Sequence, residues 1–319
     1  MMTTAPWIDI QDAPVIEQSI HDYIVSIFRY HSYHHGQHPL EITPISPGAE
    51  ASRGWDAAVR EVVPLYFQYK LPDFTSRPKS SQPAIFKQRE AWNFQDADGL
   101  FHFRLRAKAA SAPQSQHELL VDMANKGCRA FYVSPTFVDF RRLRYGGSLI
   151  NEQAYTHVNI DIWHKGNHHS IVAPQFQDII CIPPTENVDN PPEDHQFFFN
   201  DKRQVSLHSD PIRIDALSLE SVISDQLSAI MRSESLTSRN VESHVETVLQ
   251  ALAGRDGDQG IIVAIRNYFD SMRERFTEQP SITGNGRENY LMRDMRALSK
   301  VIYDLYGVHT LLTLKLGKV

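Results

Sequence analysis

The apolar residues of this chain change period several times along its length, and the order of those changes constrains the fold more than any other feature. Near the N-terminus, Ile16, Ile20, Tyr23, Ile24, Ile27 and Phe28 recur at spacings of three and four after Pro14, which predicts an amphipathic helix ending near Gly36. Pro39, Pro44, Pro47 and Gly48 then punctuate a stretch of short extended pieces, with strand-like runs at Trp55–Val59 and Leu65–Leu71 that read as two adjacent strands. Residues 72–99, rich in Pro, Ser, Lys and Asp, read as a long loop or insertion, and alternation resumes at Leu100–Leu105. Gln116–Lys126 places Leu119, Leu120, Met123 and Ala124 on one helical face with Gly127 as the stop, and Ala130–Val133 is a further strand closed by Pro135. The order helix, strands, helix, strand over residues 15–135 predicts one α/β unit, a mixed sheet flanked by helices.

Beyond this unit, residues 156–182 read as β-rich, and the prolines and acidic residues of Pro183–Pro192 read as a linker or exposed loop. Helical periodicity then dominates. Leu219, Val222, Ile223 and Ile230 form one amphipathic face, Val241, Val245, Val248, Leu249 and Leu252 a second, and Ile261, Ile265, Phe269, Met272 and Phe276 a third. Leu291, Met295, Leu298, Ile302 and Leu305 form the fourth, and Gly307 gives way to a closing strand in which Leu312, Leu314 and Leu316 alternate with Thr313 and Lys315. The expected division is an α/β domain over 1–182, a linker over 183–211 and a mainly helical region over 212–319, mixed α/β overall. No apolar run approaches the roughly 20 residues of a membrane span, and the first residues lack the basic flank and apolar run of a signal peptide, so a cytoplasmic protein is expected. Cys128 and Cys181 stand in apolar segments as core thiols, too few for a disulfide scaffold or a cysteine zinc site.

The net charge of -6 excludes a protein coated all over in basic surface, but the charge is unevenly spread. Residues 71–150 hold 12 Lys/Arg against 7 Asp/Glu, while both flanks are acidic. Arg77, Lys79, Lys87 and Arg89, then Arg104, Arg106 and Lys108, then Arg141, Arg142 and Arg144 are candidates for phosphate contacts, or for an ordinary solvated face.

In the run Pro64-Leu-Tyr-Phe-Gln-Tyr-Lys70, strand geometry sends Leu65, Phe67 and Tyr69 to one face and Tyr66, Gln68 and Lys70 to the other, so Gln68 and Lys70 stand side by side. Just upstream, Asp56 is expected on a neighbouring antiparallel strand, with its carboxylate approaching Gln68 across the ladder. A magnesium or manganese ion is served by a few hard oxygens of this kind, with Lys70 orienting or activating the attacking water.

At Gly54, Asp56, Gln68 and Lys70 the chain resembles the PD-(D/E)xK nuclease superfamily, more narrowly its Mrr-type branch, whose motifs read Gly-x-Asp and then Gln-x-Lys. The family core of a helix, three strands, a helix and a strand matches the order inferred for residues 15–135. The resemblance implies metal-dependent cleavage of DNA in a restriction-endonuclease-like sheet, with Asp56 and Gln68 as metal ligands and Lys70 as the catalytic lysine. An acid from the first helix or from the loop before the strand often completes such sites, and Glu17 on the helix and Glu41 or Glu50 before the strand are the candidates. Defence against foreign DNA is the setting implied. The neutral Gln68 also fits a module that has lost catalysis and binds nucleic acid or a protein partner, and the helical C-terminal region could serve partner binding or self-association. A purely structural interaction protein is a third class.

Other residues carry weaker signals. Within Tyr30–His38, His31 and His35 share the spacing of zinc-binding helices but have no HExxH motif, which fits a solvated helix end. His164, His168 and His169 flank a Gly166-Asn167 turn. Gln116 and His117 open the second helix, either as substrate or water contacts or as an ordinary helix start. Phe101, Phe103, Phe131 and Tyr132 are at strand spacing, as core residues are.

Overall fold

The computed structural model describes residues 20–21, 24, 40–44, 59–76, 83–96, 99–110, 112–138, 179–188, 191–208, 212–232, 234–254, 259–277 and 290–316. It is a mixed α+β structure with two sheets. Ile20, His21 and Ile24 are helical. The strands are β1 (Leu40–Pro44), β2 (Val59–Tyr69), β3 (Asp73–Thr75), β4 (Leu100–Arg104), β5 (Ala130–Pro135), β6 (Ile179–Ile182), β7 (Gln196–Phe199), β8 (Gln204–Leu207), β9 (Ile212–Asp215), β10 (Leu217–Ser218) and β11 (His309–Leu316). The helices are α1 (Pro83–Ala91), α2 (Gln116–Asn125), α3 (Leu219–Met231), α4 (Val241–Ala253), α5 (Gln259–Thr277) and α6 (Tyr290–Tyr306).

The first sheet has the order β1-β11-β2-β5-β6-β10, and the second β3-β4-β7-β8-β9. β2 and β5 run parallel, Tyr66 to Tyr69 facing Ala130 to Val133, while β2 and β11 are antiparallel with Phe67 opposite His309 and Val62 opposite Leu314. Side-chain alternation along β2 divides two hydrophobic clusters. Leu65, Phe67 and Tyr69 pack with Ile20 and Ile24 and with Leu219, Val222 and Ile223 of α3. Val62 and Tyr66 face the larger cluster, which joins α2, α4, α5 and α6 to Phe103, Phe197, Phe199, Val205 and Leu207 of the second sheet. Pro64 is tolerated in this central strand because even-numbered amides of β2 point away from β11. Val62 N–H donates to Leu236 O at 2.9 Å and Tyr66 N–H to Arg129 O at 2.9 Å, so the missing N–H of Pro64 falls between these two partners.

α2 begins at a capping box. Ser115 Oγ accepts from Glu118 N–H, and the Glu118 carboxylate accepts from Ser115 N–H at 2.7 Å. It ends as the sequence predicts, with Gly127 at a φ of 82°, a conformation that costs glycine least. The four C-terminal helices also lie where their periodicity places them.

Three expectations are corrected. Of the two adjacent strands expected at 55–59 and 65–71, residues 55–58 lie outside the described residues, and Val59 belongs to the same strand as Tyr69, β2, whose antiparallel neighbour is the distant β11. Residues 72–99 are more than a loop, since β3 and α1 lie there and both belong to the second sheet's layer. The division at 183–211 also fails. That segment contains β7 and β8, with Phe197, Phe198 and Phe199 buried, and β11 of the expected helical region sits between β1 and β2. A long apolar alternation pairs where its registry is best satisfied, and sequence distance does not restrict it. Among the described residues, no helix is long and apolar enough to cross a membrane.

Candidate functional site

Gln68 and Lys70 lie at the C-terminal end of β2, on the face shared with Tyr66, and are 1% and 3% exposed. The polar side of this strand is therefore interior, and its groups need internal partners. The partner is Gln116, at the first position of α2. Lys70 Nζ donates to Gln116 Oε1 at 2.9 Å. Gln116 Nε2 donates to Gln68 Oε1 at 2.5 Å and to the backbone carbonyl of Tyr306 at 2.6 Å. Gln68 Nε2 donates to Tyr69 O at 3.0 Å.

The floor of this centre comes from β5. The Lys70 ammonium lies 5.7 Å from the centroid of the Tyr132 ring, a cation–π approach inside the protein. Tyr132 OH is 2.8 Å from His117 Nδ1, and His117 Nε2 is 2.9 Å from Thr185 O. A carbonyl only accepts, so Nε2 carries the proton and Nδ1 accepts from the phenol. Burial pushes the His117 imidazole down to about 4, and the neighbouring positive charge of Lys70 acts in the same direction. Two residues back along the strand, Tyr66 OH lies 2.7 Å from His244 Nε2 in a hydrogen bond, and burial holds His244 down at about 4. Burial also holds the phenols of Tyr66 and Tyr132 well above their ordinary value.

The structure thus brings Gln68 and Lys70 together as the strand period requires. It adds Gln116, which the sequence offered only as a substrate contact or a helix start. The Ser115-x-x-Glu118 capping box is the signal that fixes where Gln116 stands on its helix. Asp56, Glu17 and Glu50 lie outside the described residues, as do Arg77 and Lys79 and the histidines of 31–38 and 164–169. The ladder expected to carry Asp56 to Gln68 lies outside the described residues at its Asp56 end; the described antiparallel neighbour of β2 is β11, and nine residues of strand, about 30 Å at roughly 3.3 Å per residue, separate Val59 from Gln68. Glu41 is corrected as a candidate acid. It faces Leu314 in β1, Leu314 faces Val62, and Glu41 is therefore two strands across from β2 and about 20 Å along the strand direction from the level of Gln68.

Among the basic residues, Lys87, Arg104 and Arg106 are exposed. Arg89 is corrected as a phosphate contact: it is buried, and its guanidinium forms a two-pronged pair with Asp96 at 2.7 and 2.9 Å. Its remaining donors reach Phe198 O, Ser206 Oγ and Gln204 O. A fork used up in this way has nothing left for a ligand.

Magnesium takes hard oxygens, carboxylates foremost. The oxygens described at this centre are those of the Gln68 and Gln116 amides and of the Tyr69 and Tyr306 backbone carbonyls, each already taken by an N–H donor, and no group of three or more His, Cys, Asp or Glu among the described residues could hold a metal ion. By themselves they do not fit the metal the resemblance implies. A cavity of about 530 Å³ lies along the other side of α2, lined by Gln114, His117, Glu118 and Asp122 and by Ala253 and Gly254, so the Gln68–Gln116–Lys70 centre is not on its wall. Comparison with protein-family models, with curated proteins and with solved structures gives no match.

Proposed function

We propose that this chain is a nuclease-fold protein that hydrolyses phosphodiester bonds of DNA at the centre built on Gln68 and Lys70. The observation that carries the reading is the convergence of the Lys70 ammonium and the Gln68 carboxamide on Gln116, beside the parallel strand β5. The Lys70 ammonium, held against the Gln116 carboxamide over an aromatic ring, stands in a low-dielectric setting, where a positive charge stabilises a pentavalent phosphate far better than in water. Dependence on magnesium or manganese belongs to the proposal, with Asp56 as the first acid to test. Action in the cytoplasm belongs to the proposal, and defence against foreign DNA is the setting that the resemblance implies.

A second reading has its own support. Gln68 and Lys70 are nearly inaccessible and satisfy each other through Gln116, as they would in a module that binds nucleic acid without cutting it. One experiment separates the two: plasmid and single-stranded DNA incubated with the wild type, Lys70→Ala and Asp56→Ala, with and without magnesium or manganese, alongside binding and thermal melts. The nuclease reading expects metal-dependent cleavage by the wild type and its loss in folded Lys70→Ala and Asp56→Ala. Binding without cleavage, weakened modestly and with a shallower salt dependence in Lys70→Ala, would establish the second reading instead.

A further inference from the structure

We infer that Gln116 is the positioning residue of this centre: one carboxamide that sets the Lys70 ammonium and the Gln68 carbonyl together and ties both to the C-terminal end of α6. Both of its amide hydrogens and its oxygen are engaged. Its oxygen accepts from Lys70 Nζ at 2.9 Å, and its nitrogen donates to Gln68 Oε1 at 2.5 Å and to Tyr306 O at 2.6 Å. The reversed amide is excluded by chemistry, since it would aim an NH2 at an ammonium and an oxygen at two carbonyl oxygens. Hydrogen bonding therefore runs in one direction, from Lys70 through Gln116 to Gln68 and on to Tyr69 O, and each amide is held in a single orientation.

The tie to α6 is what makes this more than local packing. The last turn of a helix leaves carbonyls without intrahelical donors, and Tyr306 O is supplied by Gln116. Gly307, at a φ of 65°, then turns the chain into β11, the strand that pairs with β2. Tyr306 is itself anchored, with its hydroxyl donating to Leu252 O in α4 at 2.7 Å. The position of the C-terminal helices is thus transmitted to Lys70 through one side chain, and Gln116 is already placed by the capping box at Ser115.

The test uses the full chain with Lys70 followed by NMR of isotopically labelled lysine, together with the cleavage assay on plasmid DNA with magnesium; only the cleavage arm rests on the nuclease reading. In Gln116→Ala the Lys70 ammonium loses this acceptor, so its ζ resonances should shift and its ammonium protons should exchange faster with solvent. In Gln116→Glu the ammonium faces a carboxylate, but the donations to Gln68 and Tyr306 O are lost. Both variants should lower kcat by roughly 10–100-fold with KM nearly unchanged, the loss expected when a group that orients a site is removed. A fall in kcat at constant KM and unchanged thermal stability is a result that a purely structural role would not produce. Gln116→Asn, polar but one methylene too short, serves as the alternative if the alanine variant fails to fold. A folded variant with unchanged Lys70 ζ resonances overturns the inference, whether or not the protein cleaves DNA. Absence of cleavage by the wild type overturns the nuclease reading and leaves the lysine measurement to decide the role of Gln116.

Discussion

Replacing Arg89 by methionine should destabilise the fold by about 3–5 kcal/mol, the cost of leaving one partner of a buried ion pair behind. The structure sets this magnitude. Arg89 and Asp96 side chains are 1% and 5% exposed, so the Asp96 carboxylate would stay in the interior with Asn200 Nδ2, at 2.8 Å, as a remaining donor among the described residues. Phe198 O and Gln204 O would lose Arg89 donors at 3.1 and 2.8 Å, and the Phe94 ring would lose the guanidinium stacked 4.6 Å from its centroid. Arg89→Lys should recover only part of the loss, because an ammonium cannot reproduce the planar fork that meets both Asp96 oxygens. The double variant Arg89→Met with Asp96→Leu should be more stable than Arg89→Met alone, since no charge is then stranded. The assay is urea unfolding of the four proteins, read by circular dichroism and by tryptophan fluorescence. A loss below about 1 kcal/mol in Arg89→Met would refute the argument, and a drop in DNA affinity without a drop in stability would return Arg89 to the surface role that the sequence suggested.

Two further outcomes follow from buried polar groups. His117 and His244 are pushed down to about 4 from an ordinary value of 6.5, so between those values the unfolded chain takes up protons that the folded chain excludes. Stability should be complete above about pH 6.5 and fall as the pH is lowered toward about 4, by up to roughly 3 kcal/mol per histidine; urea midpoints across that window test this, and His244→Gln should flatten the slope. Thr310 Oγ1 is buried and finds no hydrogen-bond partner among the described residues, so Thr310→Val removes a stranded hydroxyl at constant shape and should stabilise the protein by about 1 kcal/mol. Destabilisation of similar size in the same unfolding assay would mean that the hydroxyl is bonded after all.

Local pattern was enough for every element whose signal is contained in its own residues. The period-two run from Leu65 to Lys70 put Gln68 and Lys70 on one face. Leu119, Leu120 and Met123, followed by Gly127, bounded α2, and the repeating faces of residues 219–305 gave the four C-terminal helices. What tertiary structure alone decided is which of these elements meet. β11 lies between β1 and β2 although it comes last in the chain, because strand pairing is satisfied by registry and burial and carries no local mark of its partner. Burial of Arg89 depends on Asp96 and on carbonyls more than a hundred residues further along, so the same Lys/Arg-rich stretch that reads as a solvated basic face supplies a core ion pair. Gln116 became legible only when α2 was packed across the end of β2, since three hydrogen bonds reaching 48, 46 and 190 residues away leave no imprint on the sequence around it.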